Sequence, residues 1–196
     1  CMNDALVLAH AEEGILWLTL NQPARRNPLS SDMIAALSAA IASGNEDAKT
    51  RVIVIKAAGP AFSAGHDLRE TRRRDGEDQN DWQTRIDALL QDCAAMMTSI
   101  LHAPKPIIAS VQGIASAAGC QLVSACDLAI ASEDATFCTP GVNIGTFCTT
   151  PLVGIGRNLS RKHALEMALT GDQFDAATAE RFGLINRSVP APQLKQ

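Results

Sequence analysis

Apolar residues recur along this chain in two rhythms. Short β-branched or aliphatic runs bounded by Gly or Pro predict buried strands, and spacings of three and four predict helix faces. Residues 5–9 and 15–20 are apolar-rich runs split by Glu12, Glu13 and Gly14, which predicts a β-hairpin. Pro23 and Pro28 break regular structure between them. Ser30 or Ser31 caps a helix with Met33, Ile34, Leu37 and Ile41 on one face, and Gly44 is placed to end it. Residues 51–57 (RVIVIKA) read as a buried strand, followed by a loop of small residues at 58–68. Residues 72–81 are a charged stretch read as mobile. A long helix is expected over 82–102, where Ile86, Leu89, Leu90, Cys93, Met96, Met97 and Ile100 share a face before Pro104 and Pro106. Strands at 107–111 and 128–131 enclose a small-residue helix at 116–126. Helices at 160–169 and 175–182 stop at Gly171 and Gly183, and a short strand is expected at 185–189. Strands alternating with helices define an α/β class, and 196 residues suit a single domain, 1–196.

Composition narrows the partners. The net charge is −4, so there is no basic field to recruit nucleic acid or an anionic membrane. An anionic ligand must be held by local donors. The apolar runs are too short to span a bilayer, and the first residues lack the charged, apolar and cleavage-site succession of a secretory signal. The six cysteines, at 1, 93, 120, 126, 138 and 148, form no C-x-x-C pair and read as buried thiols of a reducing compartment. A cytoplasmic location is the expectation, with no disulfide framework and no zinc site. His10, His66, His102 and His163 are too scattered for a metal site. Gly154 and Gly156 begin an incomplete dinucleotide motif with no strand before it. Ser116 lacks the G-x-S-x-G setting of a nucleophilic serine.

Two segments share one form: strand, small-residue turn, helix. They are residues 61–68 (AFSAGHDL) and 113–122 (GIASAAGCQL). Small residues admit a ligand close to the backbone, and a helix start leaves N–H groups free. Two such groups facing one another form an oxyanion hole, which stabilises a developing negative oxygen by about 3–4 kcal/mol per donor. Spacing alone fits tight strand–helix packing at least as well.

Residues 51–68 (RVIVIKAAGPAFSAGHDL) resemble the strand and A-F-x-A-G-x-D-L block of the enoyl-CoA hydratase/isomerase (crotonase) superfamily. Residues 106–132 (PIIASVQGIASAAGCQLVSACDLAIAS) resemble its second block, P-x-I-A-x-V-x-G-x-A-x-G-G-G-x-E-L-x-x-x-C-D, and residues 164–171 its third landmark. Within the superfamily, the AAGCQL and TPGVN runs resemble the enoyl-CoA hydratase domain-containing branch. The resemblance implies a crotonase-like spiral of ββα units with an acyl-CoA pocket. Coenzyme A thioester is then the ligand, with no separate cofactor, and the partner is further copies of the chain, as a homotrimer or hexamer. It implies oxyanion donors at the backbone N–H of His66 and Ala118, with Ala117 and Ala118 replacing two family glycines. The hole survives those alanines if φ stays negative there. Ala61, Ser63, Ala64 and Asp67 are the expected groove residues. Family members continue into further C-terminal helices, so that segment is expected to be absent or shortened here.

The same alignment removes the usual chemistry. Hydration in this family uses two glutamates, and their positions hold Gln121 and Gly141. Glutamine matches glutamate in size but does not titrate, and glycine offers nothing. Conventional hydration of a 2-enoyl-CoA is therefore not expected. What remains is either an enzyme that stabilises a thioester enolate or a catalytically degenerate acyl-CoA-binding or regulatory protein. His66 is a substitute acid–base type or a packing residue. Asn143 and Thr139 are candidates to hold water, and Cys138 and Cys148 line the pocket as inert thiols. Arg25 and Arg26 either meet CoA phosphates or belong to a solvated loop.

Overall fold

The computed structural model describes residues 5–194. β1 (Val7–Glu12) and β2 (Ile15–Leu20) form the expected antiparallel hairpin, with Glu12 opposite Ile15. Its two-residue turn needs positive φ at both positions, and Glu13 and Gly14 adopt 50° and 84°. Beyond the hairpin the main sheet is parallel. β2 pairs with β3 (Val52–Ala57), β3 with β5 (Ile107–Val111), β5 with β7 (Leu128–Ser132), and β7 with β10 (Arg187–Val189).

A second sheet lies apart from the first. It holds β4 (Ala61–Ser63), β6 (Ile114–Ser116), β8 (Thr136–Cys138) and β9 (Phe174–Asp175) in that order. Its strands are two or three residues long, below what side-chain alternation can reveal. The chain thus repeats one step: a long strand in the main sheet, a short strand in the second, then a helix. The steps are β3, β4 and α3 (Gln79–Leu101), with the short α2 (Leu68–Thr71) between; β5, β6 and α4 (Ala118–Ala125); and β7, β8 and α5 (Thr149–Asn158). α6 (Arg161–Thr170) and α7 (Ala176–Phe182) follow. Among the described residues, no helix is long and apolar enough to cross a membrane.

The first helix, α1 (Ser31–Glu46), begins where Ser30 Oγ accepts from Met33 N at 3.2 Å. It runs two residues beyond Gly44, so Gly44 is not its stop. A Cβ at Gly44 would lie 2.5 Å from Leu16 Cδ2 and 3.0 Å from Ile53 Cδ1. Its bare backbone instead seats α1 closely on β2 and β3. The core between them holds Leu18, Leu20, Ile53, Ile55, Met33, Leu37 and, from α3, Met96 and Ile100.

The charged stretch before α3 is folded rather than loose. The Arg85 guanidinium pairs with Glu77 at 2.7 Å and donates to the carbonyls of Glu70 and Arg72. Arg73 Nε donates to Glu77 O at 2.8 Å, and Trp82 Nε1 to Thr71 O at 3.0 Å. The Arg85 hydrogen bonds hold the Glu77 carboxyl down to about 2. A polar cap at Asp78, accepting from Asn80 and Asp81, starts α3 three residues before the apolar periodicity does.

α5 was not expected at all. Two glycines and a proline disfavour a helix interior, yet Pro151 sits in the first turn, where its missing N–H costs no helical bond. Gly156 has open space around it, whereas a Cβ at Gly113 would stand 2.2 Å from the Pro60 carbonyl oxygen. Gly113→Ala is therefore expected to cost about 3 kcal/mol, because backbone must move. Gly156→Ala is expected to gain about 0.5 kcal/mol from helix propensity. Urea unfolding of the two variants checks both signs.

Candidate functional site

The two strand–turn–helix segments meet backbone to backbone. Gly65 adopts φ +87°, and a Cβ there would lie 2.8 Å from Ser116 O, 3.0 Å from Ala117 Cβ and 3.2 Å from Ala118 N. In return, a Cβ at Gly119 would stand 2.5 Å from Ser63 O and 2.8 Å from Ser63 Cβ. Each turn is also tied from outside. Leu29 N donates to Gly65 O at 2.8 Å, Ala64 N to Arg26 O at 2.9 Å, and Ala117 N to Cys138 O at 2.9 Å. Ala118 is the first residue of α4, so its N–H has no intrahelical partner. Among the described residues, neither that N–H nor the N–H of His66 is hydrogen-bonded.

The expectation of negative φ fails at Ala117. It adopts φ 50°, ψ −116°, a conformation that favours glycine. The residue just before the candidate donor is strained, while Ala118 itself is helical.

The imidazole of His66 faces inward. Nδ1 lies 3.2 Å from Leu29 O, and Nε2 is buried without a partner among the described residues. Burial lowers its pKa, opposed by the Leu29 carbonyl and the Glu70 charge. The ring is thus neutral near pH 7, with Nδ1–H donating to Leu29.

Gln121 is 8% exposed, and its Oε1 is buried with no partner among the described residues. It lines a cavity of about 360 Å³ between α3, α4 and α5. Gly141 lies in a 3₁₀ turn, Pro140–Ile144, where a Cβ would meet Cys148 Sγ at 3.0 Å and Cys148 N at 3.1 Å. The position expected for the second glutamate is therefore crowded by the start of α5. The thiols of Cys120, Cys138 and Cys148 are buried, and burial pushes all three pKa values up. They are poor nucleophiles.

Several expected ligand contacts are spent inside the protein. Arg25 pairs with Asp67, which also accepts from Arg69 N at 3.1 Å and caps α2. That commits Arg25 and Asp67 to shaping the loop, while Arg26 stays exposed at φ 60°. Ala61 and Ser63 are 1% and 0% exposed, so they are interior rather than groove-lining; Ala64 is exposed. Thr139 Oγ1 donates to Met167 O at 2.8 Å and Asn143 Nδ2 to Gly171 O at 3.4 Å, tying the 3₁₀ turn to α6 and its end instead of holding water. Among the described residues, no cluster of three His, Cys, Asp or Glu could hold a metal ion. Sequence reasoning missed Arg157 and the α3–α5 wall, because α5 itself was missed.

The profile of the enoyl-CoA hydratase/isomerase family matches residues 10–196, and the chain belongs to that family. It is 44% identical over 191 residues to rat enoyl-CoA hydratase domain-containing protein 3, mitochondrial, covering 97% of this chain and 62% of that protein. The crystal structure of an enoyl-CoA hydratase from Mycobacterium smegmatis has 44% identity and a TM-score of 0.89, over 97% of this chain and 72% of that one. The crystal structure of human enoyl-CoA hydratase domain-containing protein 3 has 40% identity and a TM-score of 0.91, over 97% and 73%. The repeated ββα step is accordingly the crotonase spiral. The chain spans about three-fifths of the length of the rat relative. The cytoplasmic expectation does not stand, because the rat, mouse and human relatives are named as mitochondrial proteins. Free thiols report redox conditions, not which compartment supplies them.

Two measurements check the site's backbone and its histidine. Ala117→Gly is expected to raise stability by about 1 kcal/mol, read from thermal unfolding, because glycine relieves the positive φ. His66 has a folded pKa below its ordinary 6.5, so the unfolded chain binds more protons there. Its contribution is present above pH 6.5 and is lost as pH falls through the folded value. Urea unfolding at pH 7.5 and 5.5 should show a smaller acid loss in His66→Gln than in the parent.

Proposed function

We propose that the chain binds the thioester end of an acyl-CoA, with the carbonyl oxygen between the N–H groups of His66 and Ala118. The observation that carries this is the interlock of Gly65 with residues 116–118, beside two N–H groups left without partners. Donors fixed in place before the ligand arrives need no reorganisation when negative charge builds on the oxygen. The chemistry favoured is polarisation of the thioester towards an enolate. Family membership and the enoyl-CoA hydratase relatives support the ligand class. Arg26 and Ala64 are the exposed residues left to meet the CoA body on that edge. Self-association, as trimers or hexamers, belongs to the same proposal. It would cover apolar side chains that stand out here, among them Ile144 at 66% exposure and Leu169 at 61%.

Plain hydration is not the reaction favoured. Gln121 cannot exchange a proton, and Gly141 has no side chain and little room for one. General acid–base assistance is commonly worth about 10²- to 10⁴-fold. Binding without turnover of simple enoyl-CoA is the specific reading these two positions favour.

Calorimetric titration with crotonyl-CoA, followed by product analysis, tests the reading. Binding is expected, without efficient hydration. In the bound state the thioester C=O stretch should fall in frequency, since two N–H groups polarise it; an unshifted band would remove the oxyanion assignment. Gln121→Glu combined with Gly141→Glu should raise crotonyl-CoA hydration above the parent. The pair should also cost about 1–3 kcal/mol of stability, because residue 141 is crowded by Cys148. Retained binding with no gain would mean that these positions do not face the double bond.

A further inference from the structure

The cavity beside Gln121 has a polarity of its own. Its floor is one face of α4, carrying Gln121, Ser124 and Ala125. Met97 and Leu101 of α3 and Val153 of α5 wall it, and Arg157 lies at the end of α5. α5 is held against α4 at two points. A Cβ at Gly154 would stand 2.4 Å from Ser124 Oγ, and Asn158 Nδ2 donates to Ser124 O at 2.9 Å. Arg157, next to Asn158, is thereby anchored beside the cavity. Its guanidinium makes no ion pair or hydrogen bond among the described residues. The lining is polar in another way too: Gln121 is more than nine-tenths buried, with Oε1 unpartnered among the described residues.

A pocket with apolar walls that also carries a buried amide and an unpaired cation in its lining suits a particular ligand. A plain hydrocarbon chain would satisfy the walls and leave the guanidinium with nothing. A carboxylate at the chain's far end would form a charge-assisted, forked pair with it. Gln121 and Ala125 are four residues apart on α4, about 6 Å along the axis, so a few methylenes span the floor.

We propose that this cavity takes the acyl chain of a short dicarboxylic mono-CoA thioester, with its free carboxylate on Arg157. The inference rests on the acyl-CoA reading above. It makes Arg157 a specificity-determining residue, remote from the thioester and the donors that polarise it. Because Arg157 is exposed to water, the discrimination it supplies is modest, about fivefold in affinity.

The test is calorimetric titration with hexanoyl-CoA and adipoyl-CoA, which differ only in the terminal group. It uses the parent, Arg157→Gln and the control Arg161→Gln, which removes an exposed charge from the start of α6. We expect both ligands to bind the parent, adipoyl-CoA about fivefold tighter. The preference should vanish in Arg157→Gln and persist in Arg161→Gln. Equal affinities in the parent, a preference surviving in Arg157→Gln, or one lost in both variants would each overturn the inference and leave acyl-CoA binding standing. If neither ligand binds the parent, the acyl-CoA reading fails and this inference with it.

Discussion

The structure turns on one contact: two main-chain turns pressed together with glycine on each side. Gly65 sits against residues 116–118, and Gly119 sits against Ser63, at distances where a methyl group would collide with backbone. Everything else about the candidate site follows from that approach. It requires the short second sheet, which aligns β4 beside β6 in parallel. It requires the long strands β3 and β5 behind them, which are themselves paired and buried. It also leaves two N–H groups unspent in the one region where both turns end.

The chemistry is shaped as much by what crowds the site as by what is missing from it. Gly141, the expected position of one family glutamate, has little room for a side chain. The start of α5, with Cys148, occupies the space such a side chain would need. Gln121, the expected position of the other, matches a glutamate in size and has a buried oxygen with no donor among the described residues. The two positions differ physically: one is crowded by backbone and a thiol, and the other carries an amide of glutamate's size that cannot titrate.

Much of this was legible in the sequence. The hairpin, the three long strands, α1, α3 and the two late helices follow from apolar spacing, and the two family blocks lead to the turns that meet. Legibility failed where side-chain pattern carries little information. The second sheet has strands too short to alternate. α5 was hidden by Pro151 and two glycines, although a proline in the first turn does no harm. Gly44 read as a stop because a helix-ending glycine and a close-packed glycine look alike in one dimension. The charged stretch before α3 read as loose, since nothing in its order reveals that Arg85 would gather the Glu77 carboxylate and two carbonyls around itself. Arg25 and Asp67 looked available to a ligand for the same reason: an ion pair 42 residues apart is invisible until the chain is folded.

The candidate donors at His66 and Ala118 are peptide groups, and that has a consequence for how such a protein drifts. Side chains at those two positions are limited by packing, but changing them does not remove the candidate donor atoms. Alanine scanning leaves every peptide N–H where it was, so it would pass over the very groups that matter. Identity at positions 66 and 118 is thus a weak guide to whether the candidate donors are kept, in this chain or in any relative built the same way. Replacing a single amide by an ester, by chemical synthesis or an expanded genetic code, would probe the site directly. The glycines that bring the turns together are the residues whose side-chain identity does report on it.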